Sequence, residues 1–167
     1  MRGTTAAAAL AALACTIASA FGAPAKRVDL ATVVTKTEAE TALGEAVKDP
    51  EPRNGDGADG YYSRCNYYSQ NPGKSLVLRL RQAAAGQLEP NKQLEELCAG
   101  NSKIKPLSKL GDKAAVMIEG EKGPSHTLML YVVKNDAFVT VGISGVDDEK
   151  AALEKARKIA RKILAKL

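Results

Sequence analysis

The clearest periodic pattern in the chain is the alternation of leucines with other residues in segment 75–81. Successive side chains of a strand point to opposite faces, so the three leucines of this segment share one face of an extended chain. The aromatic-rich segment 61–69 precedes it, and residues 71–73 (Asn-Pro-Gly) between the two have the composition of a turn. The pattern predicts a β-hairpin.

A second group of apolar, β-branched segments lies further along the chain. Residues 114–118, 126–133 and 137–144 each have the length and composition of a strand. The last two are separated by residues 134–136 (Lys-Asn-Asp), a short polar turn. We expect a strand followed by a second hairpin.

Apolar residues recur at helical spacing in three further segments. The first helix begins at Thr35 or Thr37, because each threonine has a glutamate three positions later, as in a capping box. Gly44 either ends this helix or lies within it. A second helix is predicted over 89–100, with proline in its first turn, and a third from Asp147 to the C terminus.

These elements predict one α+β domain over residues 26–167. Segment 28–34 is rich in β-branched residues and is expected to be a short strand or an extended entry, and 49–60 is expected to be a loop. The predicted order is α-β-β-α-β-β-β-α. We expect an antiparallel β-sheet with an N-terminal helix, a middle helix and a C-terminal amphipathic helix packed on it.

The first 25 residues have the three-part pattern of a secretory signal peptide. Arg2 gives a positive start, an uncharged apolar run follows at 6–20, and small residues precede two candidate cleavage points. The run is short for a membrane span. We therefore expect an exported protein, periplasmic or extracellular. The residues around Cys15 fit a lipid-attachment site poorly, so a lipoprotein is the less favoured alternative.

Composition and motifs exclude several classes of function. The chain has 24 Lys and Arg against 19 Asp and Glu, a net charge of +5. This mild excess gives no indication of a nucleic-acid partner. Residues 72–75 (Pro-Gly-Lys-Ser) lack the upstream glycine and the following helix of a phosphate-binding loop. His126 is the only histidine, and no ligand spacing surrounds it, so we expect neither a metal nor another cofactor.

Removal of the signal would leave two cysteines, Cys65 and Cys98. An even number of cysteines in an exported domain is typical of a disulfide. We expect a Cys65–Cys98 bridge.

One face of the aromatic strand is a candidate binding surface. In an extended chain Tyr62, Arg64, Asn66 and Tyr68 point to the same side. Flat rings beside a guanidinium and an amide could stack a sugar or a peptide. The alternative interpretation is that tyrosine occurs here because it favours half-buried strands.

The C-terminal segment has separate apolar and basic arcs. The basic arc includes Lys155, Lys158, Arg161 and Lys162. Such a helix can lie on an anionic membrane, but its apolar arc more often docks on the domain's own sheet. We expect docking, with at most a weak contact between the basic arc and an anionic membrane surface.

The order of several short motifs resembles a group of small bacterial secreted proteins and lipoproteins. These motifs are Leu43-Gly44 at a helix end, Cys65-x-Tyr67 on a strand, and the segment 110–114 (Leu-Gly-Asp-Lys-Ala) before a hairpin. Some members have the sheet-and-helix architecture of the photosystem II extrinsic P subunit. The resemblance covers most of residues 35–167. It implies this fold and an envelope location, and it brings no catalytic residues.

The sequence favours a non-catalytic exported module that binds a ligand or an envelope partner. Two alternatives stay open at this stage. One is an enzyme whose site is assembled from scattered residues such as Tyr62, Arg64 and Asp112. The other is an inhibitor or structural accessory of an envelope complex.

Export is expected to remove the first 20–25 residues, because small residues occupy the positions that signal peptidase reads. N-terminal sequencing of the exported protein checks this expectation. A mature chain that begins at a diacylated Cys15 would identify a lipoprotein, and a chain that retains Met1 would refute cleavage.

Overall fold

The computed structural model describes residues 26–167; the predicted signal peptide and Cys15 lie outside the described residues. The predicted α+β fold is confirmed. One seven-stranded antiparallel sheet carries helices on both faces. The helices are α1 (Leu30–Val33), α2 (Lys36–Leu43), α3 (Pro90–Gly100) and α4 (Glu149–Leu164). The strands are β1 (Arg53–Gly57), β2 (Gly60–Tyr68), β3 (Ser75–Ala83), β4 (Lys105–Leu107), β5 (Lys113–Glu119), β6 (Thr127–Lys134) and β7 (Ala137–Ser144).

The strands lie in the order β1-β2-β3-β7-β6-β5-β4. Both predicted hairpins, β2–β3 and β6–β7, are present. They meet at the centre of the sheet, where β3 pairs with β7 over Ser75–Gln82 and Ala137–Ser144. Every pairing is antiparallel, so the register fixes which side chains of neighbouring strands share a face.

The entry segment differs from its prediction. Leu30–Val33 forms one helical turn instead of a strand. Asp29 caps this turn by accepting a hydrogen bond from the backbone N–H of Ala31, and the N–H of Leu30 donates to the buried Oγ of Ser63 at 2.9 Å. A local cap and a contact with β2 therefore outweigh the β-propensity of this segment.

The capping box of α2 forms at the first of its two predicted positions. The Thr35 side chain accepts from the N–H of Glu38, while the Glu38 carboxylate accepts from the N–H of Thr35. Gly44 ends the helix with φ +76°, a conformation that side chains other than glycine rarely adopt.

The predicted loop 49–60 contains a strand. Arg53–Gly57 pairs with Gly60–Arg64 at the edge of the sheet. All five residues of β1 are exposed, so its sequence carries no apolar alternation, and its pairing with β2 defines the strand. The three-residue strand β4 at the opposite edge was also absent from the prediction.

The main core lies on the face of the sheet covered by α1, α2 and α4, which we call the core face. The apolar arc of α4 is buried there, as predicted: Ile163 is 0% exposed. Its N-cap is Asp148 and not the expected Asp147, which instead accepts a hydrogen bond from the N–H of Gly123. No helix within residues 26–167 is long and apolar enough to cross a membrane.

Helix α3 lies on the opposite face, which we call the second face, and it packs against β6. Leu94 is buried there together with the odd-numbered β6 residues Tyr131 and Val133, whereas Leu130 and Val132 face the main core. The strand alternation thus separates two apolar clusters by the thickness of the sheet.

Truncation of Ile163 to alanine should destabilise the domain by roughly 2–5 kcal/mol, because it leaves a cavity under α4. Thermal unfolding followed by circular dichroism measures the effect as a clear fall in Tm. Lys158→Gln on the exposed side of the same helix is the matched control and should leave Tm nearly unchanged. Equal melting temperatures for Ile163→Ala and the unmodified chain would show that α4 does not contribute to the core.

Candidate functional site

Helix α3 covers only part of the second face and leaves a groove beside it. The volume of the groove is about 420 Å³, within the range of small-ligand sites. Strands β2, β3, β6 and β7 and one side of α3 line it.

The cross-strand register places a row of arginines along this face. Arg53 on β1 lies opposite Arg64 on β2, and Arg64 lies opposite Arg79 on β3. Thr140 and Tyr131 continue the same row on β7 and β6. We call Arg53, Arg64 and Arg79 the arginine row.

The arginine row has no compensating charge in the described part of the chain. All three residues are exposed. Among residues 26–167, none of their guanidinium groups forms an ion pair or donates a side-chain hydrogen bond; the neighbouring acid Asp56 is paired with Arg27. Like charges directly opposite one another destabilise a sheet. The row therefore produces a local positive potential that no contact within the described residues balances.

A fourth arginine, Arg81, differs from the row because it is buried and its hydrogen bonds are satisfied. Its residue exposure is 5%. Its Nε donates to Oε1 of Gln93 on α3 at 3.0 Å, and its Nη2 donates to the carbonyl of Leu88 at 2.6 Å. Its Nη1 lies 3.3 Å from a carboxylate oxygen of Asp59. Arg81 thus fixes α3 and the segment before it to the sheet.

Asp59 also joins Tyr62 to this network. The Tyr62 hydroxyl donates to the Asp59 carboxylate at 2.6 Å. This hydrogen bond, with Arg81 nearby, lowers the pKa of Asp59, and it raises the pKa of Tyr62. Both groups are therefore held in the protonation states that keep this bond, a charged carboxylate and a neutral phenol.

The side of the groove next to α3 is apolar. Tyr131 and Phe138 lie with ring centroids 6.2 Å apart, and Leu97 and Met129 also line the groove. Gly142 lies next to Met129 in the register, and a Cβ there would come within 2.7 Å of the Met129 sulfur. The groove therefore combines a cationic half on β2 and β3, where Arg64 and Arg79 line it, with an apolar half on β6, β7 and α3; Arg53 extends the arginine row beyond the groove.

The structure brings together only part of the predicted binding strip. Tyr62 and Arg64 line the groove. Asn66 and Tyr68 lie further along β2, outside its lining, where the Asn66 amide donates to the Tyr68 hydroxyl at 3.2 Å. Asp112, named for a scattered active site, also lies outside the groove and accepts a hydrogen bond from the N–H of Asn135.

Arg53, Arg79 and Arg81 were missed in the sequence. A signal for two of them was present, because the alternation that places leucines on the core face puts Arg79 and Arg81 on the other face, with Tyr62 and Arg64. Arg53 gave no such signal, since β1 has no apolar pattern.

The predicted basic arc lies on α4, away from the sheet. Lys158, Arg161 and Lys162 are exposed and Lys155 is half-buried. Lys162 forms an ion pair of 2.5 Å with Glu38 on α2.

The predicted disulfide is not present, and the fold explains the error. Cys65 is completely buried in the main core, whereas Cys98 is half-buried beside the cluster under α3. The two thiols lie on opposite faces of the sheet, so the sheet itself separates them. An even number of cysteines gave no information about these faces. Burial raises the pKa of the Cys65 thiol, which makes it unreactive.

Comparisons with protein-family models, curated proteins and solved structures give no match for this chain. The resemblance to small secreted proteins therefore stays a prediction. In residues 26–167 no three His, Cys, Asp or Glu side chains are grouped so that they could hold a metal ion.

In the mature chain, which lacks Cys15, Cys65 and Cys98 should differ in reactivity. Under native, non-reducing conditions Cys98 is expected to react with iodoacetamide, and Cys65 only after unfolding, because Cys65 is inaccessible and its pKa is raised. Intact mass before and after denaturation counts the alkylated thiols. Cys98→Ser, as a control, should abolish the native reaction. If neither thiol were alkylated, even after denaturation, until a reductant was added, the Cys65–Cys98 disulfide would be present after all.

Proposed function

We propose that this chain is a non-catalytic, exported module that binds a small anionic ligand in the groove of the second face. The observation that carries the proposal is the uncompensated arginine row. A row of like charges opposes folding, and an anion lying across it would remove that repulsion.

The geometry supports an anionic group that is contacted by more than one arginine. Side chains directly opposite on neighbouring strands have Cβ atoms roughly 5 Å apart, so Arg64 and Arg79 can address the same group. Arginine presents several N–H donors in a plane and binds phosphate or carboxylate in a bidentate manner. Phosphate monoesters, sulfate monoesters and carboxylic acids are therefore the favoured ligands.

The apolar half of the groove supports a ligand that also has an aromatic or aliphatic portion. A flat group placed between the arginine row and α3 would contact Met129, Tyr131 and Leu97. The Arg81 network closes one side of this space with fixed hydrogen bonds, so the cavity is largely pre-formed, as small-molecule sites usually are.

An exported location belongs to the same proposal. Its support is the signal-peptide pattern of residues 1–25. A binding module in the envelope would meet small anions that enter from outside or are released from the cell surface.

Phenyl phosphate is a suitable probe, because it combines a tetrahedral anion with an aromatic ring. Isothermal titration should show binding that weakens as KCl is raised from 50 to 500 mM, since salt screens exposed charges. The double variant Arg64→Gln/Arg79→Gln should weaken binding by roughly tenfold or more through loss of charge-assisted hydrogen bonds.

Arg161→Gln is the matched control, since it removes an exposed guanidinium from α4 on the other side of the sheet. It should bind phenyl phosphate as the unmodified chain does. Inorganic phosphate, which lacks the ring, should bind more weakly than phenyl phosphate. If Arg161→Gln weakened phenyl phosphate binding as much as Arg64→Gln/Arg79→Gln did, with folding preserved, a specific anion site on the second face would be refuted.

A further inference from the structure

A second cleft lies on the core-face side of the molecule, between α2 and α4. Its volume is about 380 Å³. Its apolar wall is formed by Ala42 and Ile159, which are 5% and 7% exposed, above the fully buried Val34, and Thr41 lies at its edge. Val34, Ala42 and Ile159 belong to the main core, and the groove with the arginine row lies on the other face of the sheet.

The rim of this cleft is strongly basic. Lys155, Lys158 and Lys162 all line it, and Glu38 is the only acid among the lining residues. Glu38 is already engaged, because its carboxylate pairs with Lys162 and also completes the capping box of α2. Within the described residues, Lys155 and Lys158 form no ion pair.

Lysine stems are aliphatic, and their ammonium groups stay in water while the stems cover apolar surface. A cleft with an apolar wall and ammonium groups at its rim therefore complements a molecule with the same division, an alkyl chain ending in an anionic group. Such a molecule would bury its chain between the helices and neutralise the two ammonium groups that lack partners.

A bilayer fits this region less well. An interfacial helix inserts its apolar arc among the lipids, but the arc of α4 is buried in the core, with Ile163 and Ala160 both 0% exposed. Only the charges of α4 could reach a membrane surface, so a bilayer would gain little apolar contact there.

We propose that the cleft between α2 and α4 binds a single-chain anionic amphiphile, such as a fatty acid or a monoalkyl phosphate, with the alkyl chain against Ala42, Ile159 and the lysine stems and the head group at Lys155 and Lys158. This inference does not depend on the proposed function, because the two sites share no residues.

Sodium dodecanoate, used below its micellar concentration, is the probe. Titration of the exported chain, followed by NMR or calorimetry, should show saturable binding of the dodecanoate monomer. The double variant Lys155→Gln/Lys158→Gln should weaken it by roughly tenfold, the loss expected for two charge contacts near the protein surface. Thr41→Trp should weaken it comparably by filling the cleft from its edge without changing any charge. Both variants should retain the Tm of the unmodified chain.

Lys92→Gln/Lys122→Gln is the control for net charge, since these exposed lysines lie outside the cleft; it should leave dodecanoate binding unchanged. Arg64→Gln/Arg79→Gln should also leave it unchanged, which separates this site from the groove. Dodecyl maltoside, an uncharged amphiphile, should bind more weakly than dodecanoate.

Three results would overturn the proposal. The first is absence of monomer binding. The second is equal weakening by the cleft variants and the Lys92→Gln/Lys122→Gln control, which would indicate a charge effect alone. The third is binding to vesicles of phosphatidylglycerol and phosphatidylcholine without binding of dodecanoate, which would assign α4 to a membrane surface instead.

Discussion

The antiparallel pairing of the seven strands is the constraint on which the other features depend. Once the register is fixed, each strand residue belongs to one face, because alternation has a period of two. The same register that buries Leu76, Leu78 and Leu80 under α1 and α2 places Arg79 and Arg81 on the second face. The core and the candidate site therefore both follow from the same strand pairing. A shift of the register by one residue would move the leucines to the second face and the arginines to the core face.

Arg81 shows how the second face is divided between structure and binding. A buried charge is tolerated only when its hydrogen-bond donors are satisfied and a counter-charge is near. Gln93, the Leu88 carbonyl and Asp59 meet these needs. Because these partners come from α3, from the segment before it and from the β1–β2 turn, they fix the position of the helix. The groove exists because α3 is held over β6 and leaves Arg64 and Arg79 of β2 and β3 uncovered.

The two basic regions differ in chemistry as well as in place. The arginine row offers planar donors that recognise phosphate or carboxylate through directed hydrogen bonds. The lysines of α4 offer compact charges on aliphatic stems beside an apolar wall. A ligand with a compact anionic group and an aromatic ring suits the first region, and an alkyl chain with an anionic end suits the second.

The sequence by itself determined most of the elements, because their signals are local. The Leu alternation of β3, the Thr35–Glu38 capping box and the two arcs of α4 each predict their structure from neighbouring residues, and the α+β class follows from their order. Residues without a local signal were the ones missed. The exposed strand β1 is defined only by its partner β2, and the turn Leu30–Val33 only by its cap and its contact with Ser63. Tertiary structure alone decided that Cys65 and Cys98 lie on opposite faces, that Arg53, Arg64 and Arg79 form one row, and that Arg81 is buried while they are exposed. These facts depend on strand register and helix placement, which join residues distant in the chain and leave no periodic trace in it.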